Sequence, residues 1–213
     1  MDEKVQVKQA QSNPPLVLGI TGSARKQGNS TALLRRVLNG LNGQFRTELV
    51  FLADIEVNPC TGCHYCERRG TCCIEDGMAA LYPKLLEADA ILLASPAYMG
   101  GIASRMQAFM ERTWPLRKGQ LRNKIASYIV TGRRRIGMAT GVMSEYFTRL
   151  GITVLPGVLG YAFEPGMIEK DPEALAQADA LVRQCCERLS LIKHEQGQDV
   201  DTRPQTIPAV QEE

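Results

Sequence analysis

The feature that most constrains this chain runs from Leu16 to Leu34, where an unbroken apolar segment, LVLGIT, gives way to GSARKQGNST and then to a leucine-rich amphipathic pattern. It reads as a buried strand, a loop of small and hydroxylated residues, and a helix whose first turn is Asn29-Ser30-Thr31. A strand aimed at a helix amino terminus leaves backbone N–H groups without partners, and these groups together with the helix dipole attract an anion. Gly22 and Gly28 permit close approach of the backbone to a ligand, Ser23, Asn29, Ser30 and Thr31 supply short polar side chains, and Arg25 adds a charged fork. The loop matches neither the lysine phosphate loop GxxxxGK[ST] nor the dinucleotide fingerprint GxGxxG. Taken locally, the same residues also describe an ordinary capped helix start.

With 213 residues, the chain fits one domain that buries a sheet between two helical layers. A net charge of +2 without a basic stripe argues against nucleic acid as a partner. Residues 1–13 are polar and lack the apolar core of a signal peptide, and the apolar run 90–94 is far too short for a bilayer. The expectation is a cytoplasmic protein without a membrane contact. In a reducing compartment, seven cysteines point to metal binding or redox chemistry rather than to structural disulfides. Cys60, Cys63, Cys66, Cys72 and Cys73 cluster in one segment, and Cys185-Cys186 form a separate pair.

Periodicity divides the chain into a disordered arm at 1–13, a domain at 14–193 with a cysteine-rich loop at 59–76, and a solvated tail at 194–213. Strands are expected at 16–21, 47–52, 90–95, 125–131 and 154–161, and helices at 31–41, 78–88, 101–114, 138–150 and 172–192. This alternation implies an α/β fold with a doubly wound five-stranded parallel sheet and helices on both faces. Ligands of such sheets sit at the carboxyl ends of the strands. Four loops reach that edge: 22–31, the cysteine loop, Ser95-Pro-Ala-Tyr-Met-Gly-Gly101 and Thr131-Gly-Arg-Arg-Arg135.

The loop Gly-Ser-x-Arg-x-x-Gly-Asn-Ser, the segment Cys60-x-Gly-Cys63-x-x-Cys66 leading to Cys72 and Asp76, the turn Ser-Pro-x-Tyr-x-Gly, and Glu111-Arg112 occur in that order. In this the chain resembles the flavodoxin-like NAD(P)H-dependent FMN reductase superfamily, and within it the iron-sulfur flavoproteins, over about residues 16–190. The resemblance implies strand order 2-1-3-4-5. It puts Ser23, Arg25, Asn29, Ser30 and Thr31 at the FMN phosphate, Pro96, Ala97, Tyr98, Met99 and Gly100 by the flavin ring, and Thr131 and Gly132 on its other flank. It also implies a four-iron, four-sulfur (4Fe-4S) cluster on Cys60, Cys63, Cys66 and Cys72, NAD(P)H as electron donor, a small-molecule or protein redox partner, and a homodimer or homotetramer. Ala24, Gly77 and Glu111 depart from the usual Pro, Asp and Asp of the family.

From the residues alone, the cysteine chemistry stays open. Steps of three residues drift around a helix, so Pro59, Gly62 and Gly70 favour a looped backbone that could curl round a cluster. Zinc, a redox-active dithiol or unligated thiols are the alternatives, and Cys73, surplus to four ligands, reads as either an alternate ligand or a buried small side chain. His64 reads as solvated, Cys185 as core, and Arg133 to Arg135 as either a solvated face or an anion contact. No catalytic triad or carboxylate dyad is apparent. The functional expectation is therefore a redox flavoprotein coupling FMN to an iron-sulfur cluster, against a cluster-free NAD(P)H-dependent reductase or a zinc-held docking protein.

Overall fold

A computed structural model describes residues 13–198, with side chains described as far as Leu191. β1, Leu16–Thr21, is buried along its whole length and lies between β2, Arg46–Phe51, and β3, Ala90–Tyr98, parallel to both. Both of its faces are covered: Leu18 and Ile20 enter one hydrophobic core and Val17 the other. That explains why the segment reads as continuously apolar rather than alternating. At Gly19 an added Cβ would come within 2.8 Å of Leu38, so the glycine lets the following helix, α1 at Asn29–Leu41, lie close on the sheet.

The sheet has seven strands rather than the five expected, on the path β2-β1-β3-β5-β6, so the simple order 2-1-3-4-5 is corrected. Two local causes account for the difference. Met99 and Gly100 have φ of 50° and 85°, which turns the chain back so that β4, Gly101–Ile102, pairs antiparallel with the end of β3. A helix was expected to begin at 101; α4 instead spans Ser104–Arg112. Beyond β5, Ile125–Gly132, the edge expected as one strand is divided into β6, Thr153–Val154, and β7, Val158–Tyr161, both parallel to β5. Pro156 has no N–H for a ladder, and the Tyr128 ring lies 2.1 Å from where a Cβ on Gly157 would sit.

One face of the sheet is covered by α1 and by α6, Pro172–Gln198, the latter burying Ala174, Ala178, Leu181, Cys185 and Leu189. The other carries α4, α3 at Leu81–Glu87 and α5 at Gly137–Arg149. The cysteine segment contains a short helix not foreseen from sequence, α2 at Tyr65–Arg69, ended by Gly70 in the left-handed conformation. The expected arm and tail lie outside the described residues, except for Asn13 and for the last turn of α6, which continues to Gln198 rather than stopping near 192. No helix among the described residues is long and apolar enough to cross a membrane.

Candidate functional site

The carboxyl ends of β1, β3, β5 and β7 open into a cavity of 460 Å³. Its floor is the start of α1. Ala32 N–H is bonded to Gly28 C=O, so the N–H groups of Asn29, Ser30 and Thr31 precede the helical ladder and face the cavity end of the dipole. Ser30 lines this cavity, is only 1% exposed, and its Oγ has no hydrogen-bond partner. A buried hydroxyl without a partner is costly unless a ligand completes it. With the exposed Arg25 side chain on the same wall, the donor set is that of a phosphate cradle, and FMN's phosphate fits it.

The loop keeps its shape through its own hydrogen bonds. Ser23 Oγ donates to Arg25 C=O at 3.1 Å and accepts from Arg25 N–H at 3.1 Å, while Thr21 and Thr31 hydroxyls pair at 3.0 Å beneath it. A Cβ on Gly28 would come within 2.8 Å of Ser23 Oγ, and one on Gly22 within 2.7 Å of Met106. Both glycines serve close internal packing; Gly28 also lines the cavity, as the reading of it as a point of ligand approach expects, whereas Gly22 does not. Lys26 ties the loop to the turn that follows β2, Leu52–Asp54, through an ion pair with Asp54 at 2.6 Å.

Of the residues expected around the flavin, Ser23, Arg25, Asn29, Ser30, Pro96, Ala97, Tyr98, Thr131 and Gly132 line the cavity. Thr31, Met99 and Gly100 do not. Thr31 is buried under the loop, and Met99 and Gly100 form the β3–β4 turn. Asn29 is engaged sideways: its amide donates to Glu164 C=O at 2.9 Å and its carbonyl oxygen accepts from Ile168 N–H at 3.4 Å. It thereby pins the segment after β7, whose Ala162, Phe163, Glu164 and Pro165 form a cavity wall absent from the sequence reading. Within that wall, Phe163 carries the Arg133 guanidinium 5.1 Å above its ring. The mixed polarity of this segment gave no periodic signal; only the packing of Asn29 against it reveals its role.

A second cavity, of 300 Å³, is ringed by Cys60, Cys63, Cys66, Cys72 and Cys73, with Glu111 and Trp114 on its wall. Among the described residues no group of three or more His, Cys, Asp or Glu side chains is gathered to hold a single metal ion. The five thiols line one cavity, and four thiolates are the donor set that a four-iron cluster takes. The backbone N–H of Tyr65, with the Cys73 and Thr61 side chains, lowers the Cys63 thiol pKa, whereas burial pushes Cys66 up. His64 is exposed and pairs with Glu67 at 3.2 Å, and Glu67 also meets Trp114 Nε1 at 3.5 Å and Arg117 at 3.4 Å.

What fixes this loop is a buried ion pair that sequence reasoning undervalued. Arg112, at the end of α4, is 1% exposed and the Asp76 side chain 2%. They meet in a fork, Nη1 to Oδ2 at 2.6 Å and Nη2 to Oδ1 at 3.1 Å. The same guanidinium donates to Asn58 C=O at 2.9 Å and Ile74 C=O at 3.1 Å, so one side chain clasps both ends of the cysteine segment. Asp76 accepts from Asn58 N–H at 2.8 Å and Met78 N–H at 3.0 Å. Burial pushes the Asp76 carboxyl up, yet Arg112 and these amides outweigh it and hold it below the usual carboxylate range. Beside them, Glu111 accepts from Cys60 N–H at 3.2 Å. The Glu111-Arg112 pair and Asp76, read earlier only as motif members, are the loop's mechanical support.

Residues 15–166 match the family described as NADPH-dependent FMN reductase. An iron-sulfur flavoprotein of Methanocaldococcus jannaschii is 36% identical over 190 residues, spanning 83% of this chain and 98% of that protein. An iron-sulfur flavoprotein of Archaeoglobus fulgidus is 32% identical over 170 residues, spanning 77% of this chain and 76% of its own. The fold is similar to that of an FMN-dependent NADH-azoreductase from Bacillus anthracis in complex with FMN, with a TM-score of 0.61 at 15% identity, over 82% of this chain and 99% of that one. The chain belongs to the NADPH-dependent FMN reductase family, in the branch of the iron-sulfur flavoproteins, and is an FMN-dependent oxidoreductase of flavodoxin-like fold.

Proposed function

We propose that this protein transfers electrons between FMN, held at the β1–α1 turn, and a four-iron cluster on Cys60, Cys63, Cys66 and Cys72. The observation that carries the reading is the ring of these four thiols about one cavity, on a loop clasped at both ends by Arg112. When bound, FMN exchanges electrons singly or in pairs and a cluster singly, so together they couple a two-electron compound to a one-electron carrier. The chain's own part is binding and orientation. Ser30, Arg25 and the first-turn amides of α1 hold the phosphate, while Pro96 to Tyr98, Thr131, Gly132 and Phe163 wall the flavin. Glu111 and Arg112 hold the backbone of the cysteine loop at Cys60 and Ile74.

The two cavities share no lining residue, and Tyr98, Met99, Tyr161 and Phe163 leave an exposed apolar surface beside the flavin site. Both points support a homodimer or homotetramer in which the cysteine loop of one protomer meets the flavin cavity of another. NAD(P)H is the proposed donor, and a small-molecule or protein redox partner the acceptor.

Anaerobic purification followed by metal analysis and absorption spectroscopy tests the reading. About four irons per chain and broad absorbance beyond the flavin bands are expected, and Cys63→Ser should abolish the iron while FMN stays bound. Unchanged iron in that variant contradicts the ligand set. A cluster-free NAD(P)H-dependent reductase is the second reading, supported by the match of residues 15–166 to the NADPH-dependent FMN reductase family. Flavin bands alone with rapid NAD(P)H oxidation would establish it instead.

A further inference from the structure

The cysteine segment carries one thiol more than a four-thiolate set uses, and its sulfur has a specific neighbour. Cys73 Sγ lies 3.5 Å from Cys63 Sγ. Both residues are exposed and both line the same cavity. A disulfide bond is about 2.05 Å long, so the sulfurs need approach by only about 1.5 Å, within reach of side-chain rotation. The Arg112 clasp holds the chain on either side of the two cysteines, at Asn58, Ile74 and Asp76.

We propose that Cys63 and Cys73 form a redox pair which a hydroperoxide closes to a disulfide when the cavity carries no cluster. One sulfur attacks a peroxide oxygen; the O–O bond breaks, leaving a sulfenic acid and, from hydrogen peroxide, water. The other sulfur attacks the sulfenic sulfur, the S–S bond forms, the S–O bond breaks, and a second water leaves. A pair of electrons passes from the thiols to the peroxide, and both thiol protons end in water. The inference rests on the proposed function in one respect: Cys63 is a cluster ligand there, so closure withdraws it and makes reloading of the site depend on a dithiol reductant. Cys73 is the resolving thiol that keeps Cys63 from deeper, irreversible oxidation.

The test uses the full chain stripped of iron by a chelator, treated with hydrogen peroxide, alkylated, digested and read by tandem mass spectrometry. The expected result is the loss of a pair of free thiols and a Cys63–Cys73 cross-link, reversed by dithiothreitol. The cross-link should vanish in Cys73→Ser and persist in Cys72→Ser. Oxidised wild-type chain should lose iron uptake until reduced, and untreated Cys73→Ser should load iron as fully as wild type. A dominant cross-link between any other cysteines, no thiol loss, or failure of untreated Cys73→Ser to load iron where wild type loads it would each overturn the proposal. Wild type that takes up no iron even when reduced under nitrogen would defeat the cluster reading alone, since the cross-link is measured without iron.

Discussion

Replacing Arg112 with methionine is expected to destabilise the protein by about 3–5 kcal/mol, because it leaves the Asp76 carboxylate buried without its counter-ion. For a domain of this size that corresponds to a fall in Tm on the order of 10 °C, readable by circular dichroism. The pH dependence gives a second readout. Asp76 has a folded pKa held below its unfolded one, so its stabilisation is complete above about pH 4 and is lost as the pH falls through the lower folded value. In the variant, burial acts without the guanidinium and raises that pKa. The stability gap between wild type and Arg112→Met should therefore narrow in acid. Equal Tm values at neutral pH, or a gap that widens in acid, would contradict the role assigned to the pair.

Ser30→Ala is expected to move stability and binding in opposite directions. In the ligand-free protein the Ser30 hydroxyl is buried and without a partner, so its removal should leave stability unchanged or improve it by up to about 1–3 kcal/mol. In the proposed binding mode this hydroxyl donates to the FMN phosphate. Loss of such a bond, worth about 1.5–3 kcal/mol, should weaken FMN binding roughly 10- to 150-fold. Thermal melts without cofactor and a flavin fluorescence titration check the two halves. A variant both less stable and unchanged in affinity would show that Ser30 merely packs.

Much of this was legible in the sequence because local and tertiary demands coincide there. LVLGIT is apolar on both faces because both faces of β1 are covered, and GSARKQGNST announces its loop by composition. Where long-range packing decides, the sequence misled or was silent. The turn at 96–101 was legible in its Pro and Gly residues, but the positive φ at Met99 and the antiparallel strand β4 that follows were not. Residues 162–165 become a cavity wall only because Asn29, distant in sequence, holds Glu164. Arg112 was legible as a member of the Glu111-Arg112 motif, but its burial and its bonds to Asn58, Ile74 and Asp76 are products of the fold. Asp76 is legible in hindsight as the cap of the turn at Gly77–Ala80 that leads into α3, but its partner is not.

The central claim is that the first turn of α1 grips the terminal phosphate of FMN. Parallel titrations of ligand-free protein with FMN and with riboflavin, which differ by that phosphate alone, test it most directly. The account predicts that FMN binds at least tenfold more tightly, as expected for charge-assisted hydrogen bonds together worth more than about 1.4 kcal/mol, and that Ser30→Ala shrinks the difference. Equal affinities for the two flavins would contradict it.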